Sequence, residues 1–255
     1  MFLPNKDIYY LKMTVPLYCR THSLYSLNQM SGITEHTKII ACSMIEDELN
    51  LVMERHACTL PVVWIERWLH ESIRLLREEI DRAIEGMPDA DTILLAMGIC
   101  GNALEGLSNP HARIVVPRFP DCISMQLNGP KRMDYFYYTR GWLKGDRVLM
   151  KMYADSVAKF GEKKARKAFS ILLKNYSTIS MVDTHAYPMD EACDLVRPFA
   201  EMLEKDLLTI PGNTDVLERL ILGEWDDDRF CIIEKGEQIN TLELLQGQEA
   251  HFPVF

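Results

Sequence analysis

The sequence predicts an α/β protein with a mostly parallel sheet and helices on both faces. Short apolar runs alternate with longer stretches whose apolar residues recur at helical spacing. Runs such as Lys38–Cys42 and Thr92–Met97 lack polar/apolar alternation, as strands covered on both faces do. The chain has 255 residues, 47% of them hydrophobic and 25% charged, which is enough for a sizeable core.

Taken in order, residues 1–36 read as an N-terminal arm or leader, with a strand-like pattern at Tyr9, Tyr10, Leu11 and Val15. No clean apolar stretch precedes a small-residue cleavage site, so no signal peptide is expected. Residues 37–143 form a first α/β half. Lys38–Cys42 is a buried strand. Ser43 and Glu46 have the spacing of a capping box, and Ile45, Leu49, Val52, Met53 and His56 mark the helix after it. Leu60–Ile65 is the second strand, with Trp68, Leu69 and His70 in its loop. Ile73, Leu76, Ile80 and Ile84 mark a helix stopped by Gly86 and Pro88. Thr92–Met97 is the third strand. Gly98-Ile99-Cys100-Gly101-Asn102 follows it, then a short helix through Leu107. Ala112–Val116 is the fourth strand, and Asp121 caps a helix carrying Ile123, Met125 and Leu127. Tyr135–Tyr138 is a fifth, aromatic strand.

Residues 144–255 hold a helical connection and a second α/β half. Lys144–Lys174 is helical with a break at Gly161, and its Lys163, Lys164, Arg166 and Lys167 form a solvated face. Strands at Thr178–Val182, Leu207–Ile210 and Phe230–Ile233 alternate with helices at Asp190–Leu203 and Asp215–Leu222. Leu242, Leu244 and Leu245 suggest a last helical turn. The two runs predict either two similar Rossmann-like halves or one sheet wound twice.

Composition excludes several classes. A net charge of −9 argues against a sequence-independent grip on nucleic acid. No apolar run approaches the roughly 20 residues that span a bilayer. Seven cysteines, an odd number in a long chain, point to a reducing cytoplasm with free or metal-bound thiols. There is no CxxC pair, no GxGxxG and no GxxxxGK[ST], so neither a zinc ribbon nor a nucleotide-phosphate loop is signalled.

Ligands of open α/β sheets bind outside the carboxyl ends of the strands. The predicted elements place Cys42, His70, Cys100 and Cys122 there, together with Trp68, Asn102, Asp121, Arg140, Trp142, Asp183, His185 and Asn213. Three thiols and one imidazole are a soft tetrahedral ligand set that suits zinc. Two other readings stand beside it. Cys100 or Cys122 at a helix start could be a nucleophile, with His70 or His185 as its base. Each cysteine could equally be a small buried hydrophobe in a purely structural α/β domain. Asp121 is either a helix cap or a catalytic or tautomer-fixing carboxylate. His185 is a turn residue, an acid/base or a ligand. Asn102, Arg140 and Trp142 are candidate substrate contacts; Arg140 can grip a carboxylate or phosphate, or form a structural ion pair.

Ile40-Ala41-Cys42 with Glu46 and Glu48, Trp68-Leu69-His70, Cys100-Gly101-Asn102, Pro117-Arg118 with Asp121-Cys122-Ile123, and Tyr138-Thr139-Arg140-Gly141-Trp142 occur in an order that resembles one family. It is a domain family of unknown function from methanogenic archaea and anaerobic bacteria, whose members often accompany corrinoid-dependent methyltransferases. The resemblance covers roughly residues 37 to 235. The sequence departs from the family pattern at Met97, where a Tyr is usual, at His185, where a Gly is usual, and in a shorter segment between Gly129 and Tyr137. These departures bear on the pocket and spare the Cys/His set. The resemblance implies a setting in anaerobic one-carbon metabolism. The leading expectation is therefore a cytoplasmic zinc protein of methyl metabolism, possessing a thiol-activating site and acting on a small molecule or beside a corrinoid protein. A non-enzymatic partner or assembly factor for a corrinoid protein is the alternative, and a cysteine-nucleophile enzyme is a third.

Overall fold

The computed structural model describes residues 32–145 and 148–245. Residues 1–31 of the expected arm lie outside the described residues. Over the described residues the chain builds two sheets. Strand β1 (Thr37–Cys42) passes through a 3-10 turn, Ser43–Ile45, into α1 (Glu46–Arg55). Strand β2 (Val62–Ile65) is followed by a 3-10 turn, Arg67–Glu71, and α2 (Ile73–Glu85). Then come β3 (Thr92–Ala96), β4 (Arg113–Pro117) and α3 (Cys122–Leu127). Strand β5 (Tyr135–Tyr138) leads into α4 (Arg140–Leu143), α5 (Leu149–Phe160), α6 (Glu162–Leu172), β6 (Thr178–Asp183), α7 (Met189–Met202) and β7 (Asp206–Pro211). The last described elements are α8 (Asp215–Leu222), β8 (Phe230–Ile233) and α9 (Thr241–Leu245).

The first sheet has the order β2-β1-β3-β4-β8, and the second has β5-β6-β7. All pairings are parallel except β8, which runs antiparallel to β4 with Cys231 opposite Val116. Strands β1 and β3 sit at the centre, and Ile39, Ile40, Ala41 and Ile93–Ala96 are wholly buried. This is why both runs are apolar throughout: each strand has a covered face on either side.

The predicted α/β class with a mostly parallel sheet is the observed one. The choice left open by the sequence resolves to two sheets of five and three strands. Tyr135–Tyr138 precedes the long helical connection, yet it pairs with Thr178–Met181 in the second sheet. Phe230–Ile233 returns to the first sheet. Helix α8 returns with it, and Val216, Leu217, Leu220 and Ile221 pack into the first core. The second core is made by Tyr138, Phe169, Ile179, Met181, Val196 and Phe199. Gly161 separates α5 from α6 at φ +82°, the break expected there.

Two local expectations are corrected. The capping box at Ser43 and Glu46 does not form, because the 3-10 turn delays α1. The Ser43 hydroxyl instead accepts from the Arg67 N–H at 2.9 Å, and Ile45 precedes α1 with no side-chain cap. The helix expected between Asn102 and Leu107 is a series of turns. Cys100, Gly101, Asn102 and Gly106 all have positive φ (49°, 66°, 69° and 71°), which a right-handed helix cannot accommodate.

Gly141 seats α4 on the end of β1. A β-carbon there would overlap the main-chain carbonyl of Met44. Gly141→Ala is expected to cost about 2–3 kcal/mol in urea unfolding, whereas Gly129→Ala, whose β-carbon would meet only ordinary contacts, should stay within about 0.5 kcal/mol.

Candidate metal centre

Four ligand-type side chains meet at the carboxyl end of the first sheet. Cys42 is the last residue of β1, and its sulfur accepts from the Met44 N–H at 3.4 Å. His70 lies in the 3-10 turn after β2, the neighbouring strand, in which Ile65 is paired with Cys42. The Arg67–Ser43 bond ties that turn to the end of β1, and His70 Nε2 lies 3.1 Å from Cys42 Sγ. Cys100 follows β3. Its loop is held against the end of β4 by Ile99 N–H to Phe119 O and Cys100 N–H to Pro120 O, both 2.9 Å. Cys122 opens α3, whose N-terminus is capped by Asp121 accepting from the Ser124 N–H at 2.9 Å. Gly98 permits the approach of these two loops, because a β-carbon there would collide with the backbone of Asp121.

Hydrogen bonding toward Cys100 first and Cys42 second holds the Cys122 thiol well below the usual cysteine range against the opposing effect of burial; the charge of His70 and the Gly98 N–H assist. Donating to Cys122, followed by burial, pushes the thiols of Cys42 and Cys100 well above that range. The His70 imidazole lies against the Cys42 sulfur. Cys42 and Cys122 are buried, while Cys100 and His70 are half-buried and mark the open side.

Among the described residues, no group of three or more His, Cys, Asp or Glu side chains is placed so that it could hold a metal ion. Cys42 and His70 are in direct contact through their sulfur and Nε2. The donor types alone, sulfur and imidazole nitrogen, are those that a soft divalent metal takes.

The remaining predicted site residues have other partners. Asp121 caps α3 and pairs with Lys131, so it does not orient His70. Asn102 Oδ1 accepts from Thr241 Oγ1 at 3.3 Å and anchors α9. Arg140 pairs with Asp47 at 3.4 Å, which is the structural ion pair among its two readings. Trp142 is exposed on α4. His185 lies beyond β6 at φ +58°, with an exposed imidazole 3.1 Å from Asp183 Oδ1, and it makes no contact with the thiols.

Sequence reasoning gave no role to Glu48. It is fully buried on α1; its Oε1 accepts from Thr184 Oγ1 at 3.0 Å, and its Oε2 has no hydrogen-bond partner. Burial raises its carboxyl to about 7, and the neighbouring Asp47 and Cys122 charges add to the rise. A signal was present: Glu48 stands three residues after Ile45 and four before Val52, on the buried stripe of α1.

Fold and site together define a two-sheet α/β protein with a thiol–imidazole cluster at its strand ends. The chain belongs to the family described as protein of unknown function (DUF1638), matched over residues 64–221, more than half its length. The match takes in His70, Cys100 and Cys122, and Cys42 lies before it. No curated protein and no solved structure matches the chain.

The Glu48 carboxyl generates a pH prediction. Its folded pKa is raised, so its contribution to stability is complete below about pH 4.5 and is lost as pH rises through about 7. Glu48→Gln should remove that dependence, a change of about 3 kcal/mol across the window, read from urea unfolding of both proteins at pH 4.5 and 8. Parallel pH profiles for the two would refute it.

Proposed function

We propose that the protein binds zinc through Cys42, Cys100, Cys122 and His70, and that the centre activates a thiol for methyl transfer. One observation carries the reading: His70 Nε2 lies 3.1 Å from Cys42 Sγ, at the same sheet end where two main-chain bonds hold the Cys100 loop against the segment leading to Cys122. Zinc held by thiolates and imidazole lowers the pKa of a bound thiol and presents it as a nucleophile. The chain's own contribution is positional. Buried Cys42 and Cys122 keep water from the inner side, Arg67 brings positive charge toward Cys42, and half-buried Cys100 and His70 leave an approach from outside. The six cysteines among the described residues are all free, in keeping with a reducing cytoplasm. The resemblance of the sequence motifs suggests a corrinoid protein as the methyl source or partner.

A cysteine-nucleophile enzyme is the second reading, favoured by the lowered Cys122 thiol. Elemental analysis of protein purified without added metal separates the two. The expected result is about one equivalent of zinc, lost in Cys100→Ser and Cys122→Ser variants that keep the wild-type circular dichroism. His70→Ala should weaken binding by less than either Cys variant. Metal content unchanged in both Cys variants would overturn the proposal, and a metal-free protein with a single fast-alkylating thiol would favour the nucleophile.

A further inference from the structure

The α5–α6 hairpin departs from the rest of the molecule in both charge and burial. Residues 149–174 carry seven of the chain's 28 Lys and Arg and only two of its 37 Asp and Glu. The chain outside the hairpin is correspondingly more acidic than its net charge of −9. On α6 only Ala165 and Phe169 are buried, and Leu173 continues their stripe one turn further. Lys163, Lys164, Lys167 and Ile171 share the opposite face by helical spacing. All four are exposed, Ile171 by 58%. Helix α5 contains no buried residue. Its last residue, Phe160, is 55% exposed, with Lys159 Nζ 5.2 Å from the centre of its ring.

The fold gives these cations little to do. Arg166 pairs with Glu204 at 2.6 Å, but Lys163, Lys164 and Lys167 make no ion pair among the described residues. Lys163 and Lys167 stand one turn apart, and Lys163 and Lys164 occupy the first turn of α6. Their charges therefore repel one another and the positive end of the helix dipole. They weaken the helix that carries them, and their placement calls for a negative partner outside the hairpin. Charge complementarity alone admits lipid headgroups, an acidic protein and nucleic acid, and composition separates the three. Protein interfaces are depleted of Lys and enriched in Arg, whereas the cations of this outer face are Lys. Nucleic acid gripped through its phosphates makes no use of the exposed Phe160, Ile171 and Leu172. An anionic bilayer takes up both kinds of side chain, Lys at the level of the phosphates and apolar groups at the acyl boundary. No helix among the described residues is long and apolar enough to cross a membrane, so the contact is with the surface.

We propose that the outer face of α6, with Phe160 at its start, docks the protein on an anionic lipid surface. Lys163, Lys164 and Lys167 meet the headgroup phosphates, and Phe160 and Ile171 enter the boundary beneath them. The acidic remainder of the chain is repelled by the same surface, which disfavours other orientations. None of these residues belongs to the thiol centre, so the docking face stands whether or not that centre holds zinc.

The test sediments the full chain with sucrose-loaded vesicles, either of phosphatidylcholine alone or of equal parts phosphatidylcholine and phosphatidylglycerol. The expected result is sedimentation with the mixed vesicles, none with phosphatidylcholine, and release by added sodium chloride. Each Lys near such a surface strengthens binding about fivefold, so the double variant Lys164→Gln, Lys167→Gln should bind about 25-fold more weakly. Ile171→Ser should weaken binding as well, while Lys235→Gln, at an exposed lysine after β8, should bind as wild type. All the substituted side chains are exposed, so each variant should keep the wild-type circular dichroism. The proposal is overturned by the absence of sedimentation with mixed vesicles, by equal sedimentation with both kinds, or by unchanged binding of the double Lys variant. Failure with vesicles together with binding to polyglutamate or to single-stranded DNA would overturn it in favour of an acidic protein or a nucleic acid.

Discussion

The contact of Gly98 with the backbone of Asp121 is the constraint on which the site rests. It joins the loop leaving β3 to the loop leaving β4 closely enough for two main-chain bonds to cross between them. Those bonds fix Cys100 beside Cys122, and register within the sheet brings Cys42 and His70 to the same end. Once the backbones are locked, the sulfurs have little room to separate. Their titrations are then linked, with the Cys122 thiol held low and those of Cys42 and Cys100 pushed up.

The two sheets are joined through this same end. Glu48 on α1 bonds Thr184 past β6, α4 lies against Met44 after β1, and Arg67 donates to the Gly141 carbonyl at 2.5 Å. The junction is polar, and an unbonded interior polar group costs about 1–3 kcal/mol. The stability of the molecule therefore resides in its two apolar cores, while the junction between them is where specificity can be altered at least expense to the fold. Acidic Asp47 with Arg140 and Lys144 forms the solvent-side rim of that junction.

What the sequence made legible follows from how far each signal reaches. Apolar runs report burial locally, so β1, β3, β4 and β6 and the strand-end positions of Cys42, Cys100 and Cys122 could be found without coordinates. Pairing is non-local, so nothing in Tyr135–Tyr138 says which sheet it joins, and nothing in Phe230–Ile233 says that it runs antiparallel beside β4. The Ser43–Glu46 spacing matched a capping box, but it competed with a tertiary acceptor role for Ser43 and lost. Asn102 and Asp121 looked like site residues because they stand at strand ends; a helix cap and a tie to α9 account for them. Glu48 went unassigned because an acidic residue in a helix reads as exposed unless its place on the apolar stripe is weighed.

The antiparallel β8 has a consequence for how the chain is made. Strands β1 to β4 are complete by Pro117, but the partner that covers the outer edge of β4 ends at Ile233. On the ribosome, the apolar edge formed by Ile114, Val115 and Val116 is therefore translated long before its cover. The first sheet cannot close until Phe230–Ile233 has emerged, so its nascent form offers an open strand edge of the kind that chaperones bind.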